Sequence, residues 1–168
     1  MKRIVADPVK CLACRTCEWA CALAHAESED LVRAIVQGGA QPRIYIEAAD
    51  ELAVPLQCRH CEDAPCVQIC PTGALFRSNP QTPVLVEASK CIGCEFCVQV
   101  CPFGVIRVSA SGKAVVKCDL CSGRLAKGLA PACVSSCPVQ ALSFEEVKED
   151  AARKRLQTAL RLAEGAET

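Results

Sequence analysis

Four short apolar runs along the chain predict β-strands. They cover residues 43–47, 84–86, 105–108 and 114–116. The last two runs are separated by the turn-like residues 109–112, which predicts a hairpin. Short helices are expected in the three-residue stretches that immediately precede Cys70, Cys101 and Cys137. These brief, mixed elements predict an α+β fold.

The C-terminal tail predicts a longer helix over residues 145–168. Ser143 followed by Glu146 fits a capping box, and acidic residues at 145, 149 and 150 favour the positive end of a helix dipole. Apolar residues then recur at helical spacing, at positions 147, 151, 156, 160 and 163.

One module is repeated three times, each time around a Cys-Pro pair. The repeats cover residues 70–76, 101–107 and 137–144. In each repeat, proline ends the short helical turn that carries the cysteine, and an apolar pair then begins an extended segment. Cys21 departs from this pattern because Ala-Leu-Ala-His follows it, which predicts that the helix continues.

Composition indicates a core that is poor in large side chains. Apolar residues make up 51% of the 168 residues, but cysteine and alanine inflate that figure and only six residues are aromatic. Chains that cannot fill a core with side chains often use metal, which supplies volume and cross-links. Metal loading and folding are therefore expected to be coupled.

Charge and the N-terminal sequence narrow the classes of partner and compartment. Nineteen basic and nineteen acidic residues cancel, which removes the usual electrostatic argument for nucleic acid, so the expected partner is another protein. The first ten residues contain no secretory signal, and no apolar run is long enough to span a membrane. We expect a cytoplasmic protein, where thiolates stay reduced.

Sixteen cysteines fall into four groups of four, and none is left over. The groups are Cys11, Cys14, Cys17, Cys21; Cys58, Cys61, Cys66, Cys70; Cys91, Cys94, Cys97, Cys101; and Cys118, Cys121, Cys133, Cys137. Tight loops that present three thiolates two or three residues apart suit the corners of a cubane cluster. The number and spacing of the cysteines predict four [4Fe–4S] clusters, with all sixteen cysteines as candidate ligands.

The third group has the spacing of the bacterial ferredoxin run, in which the fourth cysteine binds the neighbouring cluster of a pair. The second group widens one gap to four residues, and the fourth group widens it to eleven. Spacing alone leaves open whether neighbouring groups pair in tandem or in another order.

Other interpretations of the cysteines fit less well. Tetrahedral zinc needs no triplets as tight as Cys11, Cys14 and Cys17, and it gives no reason for the repeated Cys-Pro. A disulfide framework conflicts with the absent signal sequence. A [3Fe–4S] site is conceivable, but all ligands for four full clusters are present. His25 and His60 are expected to have ordinary roles, with a hydrogen bond from His60 to its cluster as the alternative.

The full pattern resembles the four-cluster ferredoxin-like electron-transfer subunits of molybdenum and tungsten oxidoreductases, carbon monoxide dehydrogenase and hydrogenase complexes. The run from Cys58 to Cys66 and the eleven-residue gap of the fourth group carry this resemblance, which covers residues 4–144. It implies a nested pairing, with group one beside group four and group two beside group three. The implied ligand sets are Cys11, Cys14, Cys17 with Cys137; Cys118, Cys121, Cys133 with Cys21; Cys58, Cys61, Cys66 with Cys101; and Cys91, Cys94, Cys97 with Cys70.

The resemblance also implies two packed bis-cluster modules followed by a C-terminal helix. Residues 1–144 would form the four-cluster domain, with the outer pair from 1–30 and 110–144, the inner pair from 52–109, and an insertion at 31–51. No catalytic triad, phosphate loop or dinucleotide fingerprint is present, so turnover is expected on a tungsten or molybdenum catalytic subunit. The chain would pass electrons to a second redox protein. The alternatives are a free polyferredoxin carrier and an iron–sulfur sensor or maturation protein.

Overall fold

The computed structural model describes residues 1–26, 28, 30–36, 40–146, 155–156 and 159. Its strands are β1 (Lys2–Ala6), β2 (Ile44–Ala49), β3 (Leu52–Gln57), β4 (Leu75–Phe76), β5 (Leu85–Val86), β6 (Arg107–Val108), β7 (Val115–Val116) and β8 (Leu142–Glu146). Its helices are α1 (Thr16–Ala24), α2 (Leu31–Val36), α3 (Pro65–Gln68), α4 (Phe96–Gln99), α5 (Ser122–Leu125) and α6 (Ala132–Ser135). Every helix in this part of the chain falls short of the length and apolar character that a bilayer crossing needs.

The short helices lie where the repeats predict them. α3, α4 and α6 each end just before the Cys-Pro pair of their repeat, because proline cannot continue a helix and restricts the residue before it. α1 runs past Cys21 to Ala24, which confirms the expected continuation in the first group. The α+β class is confirmed.

The strands form four separate antiparallel pairs. β2 pairs with β3, β4 with β5, and β6 with β7, so the predicted hairpin around residues 109–112 is confirmed. β1 and β8 pair across the whole chain, with Lys2 opposite Glu146 and Ala6 opposite Leu142. This last pair brings the first and fourth cysteine groups together.

The predicted start of the C-terminal helix is wrong. Residues 142–146 form β8, in which Ser143 lies opposite Val5 and Glu146 opposite Lys2, so neither residue caps a helix. Pairing with β1 buries Leu142 and satisfies backbone groups, and this outweighs the local capping pattern. Arg155, Leu156 and Ala159 are helical, and the other positions from 147 to 168 lie outside the described residues.

Two separate apolar cores divide the chain into halves. The outer core contains Ile4, Ile44, Ile46, Leu120 and Leu142. The inner core contains Leu75, Val84, Ile106 and Val115. We call residues 1–57 and 117–146 the outer half, and residues 58–116 the inner half.

These halves differ from the boundaries expected from the sequence. The resemblance implies that residues 52–57 belong to the inner pair, but β3 is hydrogen-bonded to β2, and Gln57 Nε2 donates to the Ile4 carbonyl at 2.9 Å. It also implies that residues 110–116 belong to the outer pair, but β7 pairs with β6 and Val115 packs in the inner core. Hairpin pairing therefore moves both boundaries.

Candidate metal centres

The residue before the second cysteine is left-handed in all four groups. These residues are Ala13 (φ 56°), His60 (φ 48°), Gly93 (φ 69°) and Leu120 (φ 59°). A left-handed residue turns consecutive backbone N–H groups toward one side of a loop and so creates a concavity that attracts negative charge. Only the third group uses glycine here, so the other three loops carry backbone strain of the kind that clusters at functional sites.

Backbone N–H groups point at cysteine sulfur atoms in these loops. The amides of His60 and Leu120 each donate at 3.4 Å to the Sγ of the first cysteine of their group. Ala141 N–H donates to Cys137 Sγ at 3.2 Å, and Leu75 N–H donates to Cys70 Sγ at 3.5 Å. Such donors stabilise sulfur in its charged form, which is the form that binds iron.

Three cavities each gather four thiols from two cysteine groups. One is lined by Cys11, Cys14, Cys17 and Cys137. A second is lined by Cys58, Cys61, Cys66 and Cys101. A third is lined by Cys70, Cys91, Cys94 and Cys97. In each cavity, three thiols come from one group and the last comes from the fourth position of another group.

The remaining four thiols lie together in the outer half. Cys21, Cys118, Cys121 and Cys133 are all buried. Helix α1 carries Cys21 and packs against α6, which carries Cys133. The Cys133 thiol interacts electrostatically with the other three, and with the adjacent Cys17. All sixteen thiols are free of disulfide bonds.

Burial keeps several of these thiols protonated in the absence of metal. It raises the pKa of Cys17 and of Cys97 to about 11, and that of Cys118 to about 12. It also raises the pKa of Cys133 far above its ordinary value. Since thiolates bind iron, loading these sites must displace protons, and the iron must supply the positive charge that stabilises the buried sulfur anions.

A network of charged side chains contacts Cys21, one of the outer thiols. His25 Nε2 contacts Asp119 Oδ1 at 3.0 Å, and its Nδ1 contacts the Cys21 carbonyl at 2.8 Å. Arg43 binds the other Asp119 oxygen at 3.0 Å and donates its amide to Cys21 Sγ at 3.3 Å. Burial disfavours charged His25, but the hydrogen bond to Asp119 prevails and raises its pKa to about 12.

From the sequence we expect an ordinary role for His25, and no pattern there identifies Arg43 or Asp119 as part of a site. Asp119 lies between two ligand candidates, and a carboxylate inside a cysteine loop is the signal that could have directed attention to it. Its partners lie 76 and 94 positions earlier in the chain, by subtraction of their numbers, so no local pattern identifies them.

His60 supplies a further test of whether the second cavity fits a cluster. His60 is among the residues that line this cavity, and its Nδ1 accepts a hydrogen bond from Val84 N–H at 3.0 Å. Burial, followed by the nearby charge of Lys117, lowers its pKa to about 3, so the ring is neutral and carries its proton on Nε2. Nε2 is buried and finds no partner among the described residues. A cluster sulfur is the kind of acceptor that this N–H lacks, so the residues fit.

Several known proteins are similar to this sequence over most of its length. The 4Fe-4S dicluster domain family matches residues 49–147. An iron-sulfur protein of Rhodospirillum rubrum is 41% identical, over 93% of this chain and 87% of its own. The electron transport protein HydN of Escherichia coli K12 is 38% identical, over 94% of this chain and 97% of its own. The thiosulfate reductase electron transfer subunit PhsB of Salmonella typhi is 40% identical, over 85% and 74%.

Proposed function

The chain belongs to the 4Fe-4S dicluster domain family, and from that premise we propose that it relays electrons through four [4Fe–4S] clusters. It is an iron–sulfur electron-transfer protein with multiple [4Fe–4S] clusters, and its relatives HydN and PhsB are named as an electron transport protein and an electron transfer subunit. Our proposal concerns the number of clusters, their ligands and their partners.

We assign the ligands in nested order. One pair of clusters belongs to the outer half and the other to the inner half, as two packed ferredoxin-like modules. The outer pair uses Cys11, Cys14, Cys17 and Cys137, and Cys118, Cys121, Cys133 and Cys21. The inner pair uses Cys58, Cys61, Cys66 and Cys101, and Cys91, Cys94, Cys97 and Cys70.

The cavities are the observation that supports this assignment. Each of three cavities is lined by three thiols of one group and by the fourth thiol of its nested partner. Tandem pairing would need Cys137 beside Cys94, whereas Cys137 lines the cavity of Cys14. The strand pair β1–β8 is the structural reason, because it holds the two ends of the chain side by side.

The chain's own residues set the environment of the clusters. When bound, [4Fe–4S] clusters accept and release single electrons at potentials that depend on burial and hydrogen bonding. Here the outer core excludes water around Cys17, Cys21, Cys118 and Cys133. The amides of His60 and Leu120 donate to sulfur, which reduces the negative charge that the sulfur carries.

Paired alanine substitutions test the ligand assignment. Each ligand substitution is expected to remove one cluster, which is about four irons. Because Cys14 and Cys137 share a cluster in nested order, the double variant Cys14→Ala, Cys137→Ala should lose no more iron than either single variant. The matched pair Cys94→Ala, Cys137→Ala should lose about twice as much.

The measurement is iron per protein after anaerobic purification, with electron paramagnetic resonance of the reduced protein. The opposite result, with additive loss for Cys14 and Cys137 and shared loss for Cys94 and Cys137, would establish tandem pairing. Wild-type protein that contains zinc, or much less iron than about sixteen atoms, would overturn the four-cluster proposal itself.

We further propose that a tungsten or molybdenum oxidoreductase subunit is the catalytic partner, in the cytoplasm. The name of PhsB, an electron transfer subunit of a reductase, supports a catalytic partner of this general kind. Sixteen cysteines that must stay reduced to bind iron favour a reducing compartment. Anaerobic affinity purification from the native host, followed by metal analysis of the co-purifying chain, tests the partner.

Tungsten or molybdenum in that chain would support the proposal, and nickel would instead indicate a carbon monoxide dehydrogenase or hydrogenase. Purification of the chain alone, with a native mass equal to its own, would favour a free polyferredoxin carrier.

Substitution of Cys94 should stop electron delivery while the catalytic subunit still reacts with artificial dyes. Equal loss of both activities would contradict a relay role.

A further inference from the structure

Lys117 places a buried ammonium group between the two halves of the molecule. The residue is 2% exposed, and it immediately precedes Cys118. Its Nζ donates to the Val84 carbonyl at 2.5 Å and to the Cys118 carbonyl at 2.7 Å. Val84 belongs to the inner core and Cys118 to the outer core, so one ammonium group joins both halves.

This cation has no carboxylate partner within the described part of the chain. The ion pairs found there involve other cations, and Asp119, the adjacent acid, is bound by His25 and Arg43. A buried charge without a counter-charge is strongly destabilising, and two carbonyl dipoles offset only part of this cost. Since an ammonium has three N–H donors, one donor also remains after the two carbonyl bonds.

Lys117 contacts one residue of each of two proposed cluster sites. Val84 lines the cavity of Cys58, Cys61, Cys66 and Cys101. Cys118 belongs to the set with Cys21, Cys121 and Cys133. Through the carbonyls of Val84 and Cys118, the Lys117 ammonium group is therefore hydrogen-bonded to one residue of each of these two sites.

We propose that Lys117 is a shared counter-charge for these two facing clusters, one in each half of the molecule. The proposal rests on the four-cluster function. A cubane with four thiolates is anionic, and reduction adds further negative charge, so a fixed cation stabilises the reduced form most. Lys117 is thus a positioning residue that raises the reduction potentials of the two facing clusters and leaves the two distal clusters nearly unchanged.

Redox titration of charge variants tests this role. Lys117→Met removes the charge at similar volume, Lys117→Gln removes it but keeps an N–H donor for the carbonyls, and Lys117→Arg keeps it. Lys113→Met, at an exposed lysine four residues earlier, is the matched control. The readouts are iron content and the midpoint potentials followed by electron paramagnetic resonance.

In the neutral variants that retain full iron, we expect two midpoints to move to lower potential and two to stay in place. Lys113→Met and Lys117→Arg should keep all four. Unchanged midpoints in a fully loaded neutral variant would overturn the proposal. If both neutral variants lose iron while Lys117→Arg keeps it, the charge is required for loading and the proposal stands. If Lys117→Arg also loses iron, side-chain shape is decisive and the proposal fails.

These outcomes are separate from the four-cluster proposal, which is judged on the iron content and ligand variants of the wild-type protein. A wild-type protein with fewer clusters would refute that function directly, whatever the lysine variants show.

Discussion

The outer and inner halves use the same cysteine loops but are held together differently. The outer half joins residues from both ends of the chain through β1 and β8, whereas the inner half is one continuous segment with two local hairpins. Five of the eight outer thiols are buried, against one of the eight inner thiols. Within the described residues, the ion pairs also lie in the outer half.

This difference shows that one metal-binding loop can work in two settings. In the inner half, local pairing suffices and the thiols stay closer to solvent. In the outer half, contacts between residues far apart in sequence must form first, and they exclude water from the thiols. Burial is one of the factors that set cluster potential, so the two halves provide different environments for the same cofactor.

Iron removal gives the largest expected effect and tests the difference in burial. An anaerobic chelator should extract iron from the more exposed inner half before the outer half, and complete extraction should unfold the chain because metal supplies its core. Alkylation of freed thiols, read by mass spectrometry, should label Cys91 and Cys94 before Cys118 and Cys133. Simultaneous labelling of both halves would contradict the comparison.

Matched core truncations should separate the stability of the halves. Ile4→Ala acts in the outer core and Leu75→Ala in the inner core, and both side chains are almost fully buried. Each should cost about 2 to 5 kcal/mol of unfolding free energy, through lost contacts and a cavity. Under the chelation and alkylation assay, Ile4→Ala should accelerate labelling of outer thiols only. Equal acceleration in both halves would show that they unfold together.

Glu18→Gln should weaken a contact that exists only in the outer half. The Glu18 carboxylate accepts from Ile46 N–H at 2.6 Å and pairs with Arg15 at 3.1 Å, so it links α1 to β2. We expect a loss of about 1.5 to 3 kcal/mol, the range for a hydrogen bond to a charged group. Thermal unfolding of the loaded protein measures it. Glu95→Gln, at the exposed residue that immediately precedes α4 in the inner half, is the control and should change little.

The His25–Asp119 pair predicts a pH dependence that belongs to the outer half. Burial opposes the charged form of His25, but the hydrogen bond to Asp119 prevails and raises its pKa from 6.5 to about 12. The stability that charged His25 contributes is therefore complete below pH 6.5 and declines as pH rises toward 12. Burial opposes the charged form of Asp119 too, but the hydrogen bond from His25 lowers its pKa below 3.8, so the stability that this carboxylate contributes is lost in acid.

The unfolding temperature of the wild type should therefore exceed that of His25→Gln most between pH 4 and 6.5, within the window that these two ordinary values set. The pH-dependent difference should be about 1.5 to 3 kcal/mol, the range for a hydrogen bond to a charged group. A difference that stays constant from acid to alkaline pH would contradict it.

The smallest expected effect concerns the left-handed loop position. Gly93 in the inner half has φ 69°, and an added Cβ would meet only ordinary contacts at 3.9 Å, so Gly93→Ala should cost about 1 kcal/mol from backbone strain alone. The reciprocal change Ala13→Gly removes backbone strain at φ 56° but increases the conformational entropy of the unfolded chain. Because these two effects oppose each other, the free energy of unfolding should be nearly unchanged. Thermal unfolding distinguishes the two. A large loss in Ala13→Gly would show that this loop needs its side chain.

Spacing and turn chemistry predict the local part of the fold. The cysteine gaps, the Cys-Pro repeats and the runs at 84–86 and 105–116 indicate the loops, the short helices and one hairpin, since their signals lie within a few residues. Long-range pairing has no such signal. β1 is a five-residue strand with two charged residues, and its partner residues lie 136 to 144 positions later in the chain. There, Ser143 and Glu146 have the spacing of a helix N-terminal capping box although they belong to a strand.

The site could be predicted in composition but not in detail. Cysteine spacing identifies the sixteen candidate ligands, whereas the left-handed conformation of Ala13, His60 and Leu120 leaves no mark in the sequence, because none of them is glycine. The burial of Lys117 also could not be predicted from the sequence, since lysine is nearly always a surface residue. These positions depart from residue preference because the loops and the interior charge serve the metal sites.

The pairing of β1 with β8 has a consequence for biosynthesis. A ribosome releases a chain in the direction from its N-terminus, so Cys11, Cys14 and Cys17 emerge well before their proposed fourth ligand, Cys137. The continuous inner segment can acquire its iron while translation proceeds. The thiols of Cys11, Cys14 and Cys17 stay exposed to oxidants and to other metals until β8 has been synthesised and pairs with β1, so the nascent chain needs protection during that interval.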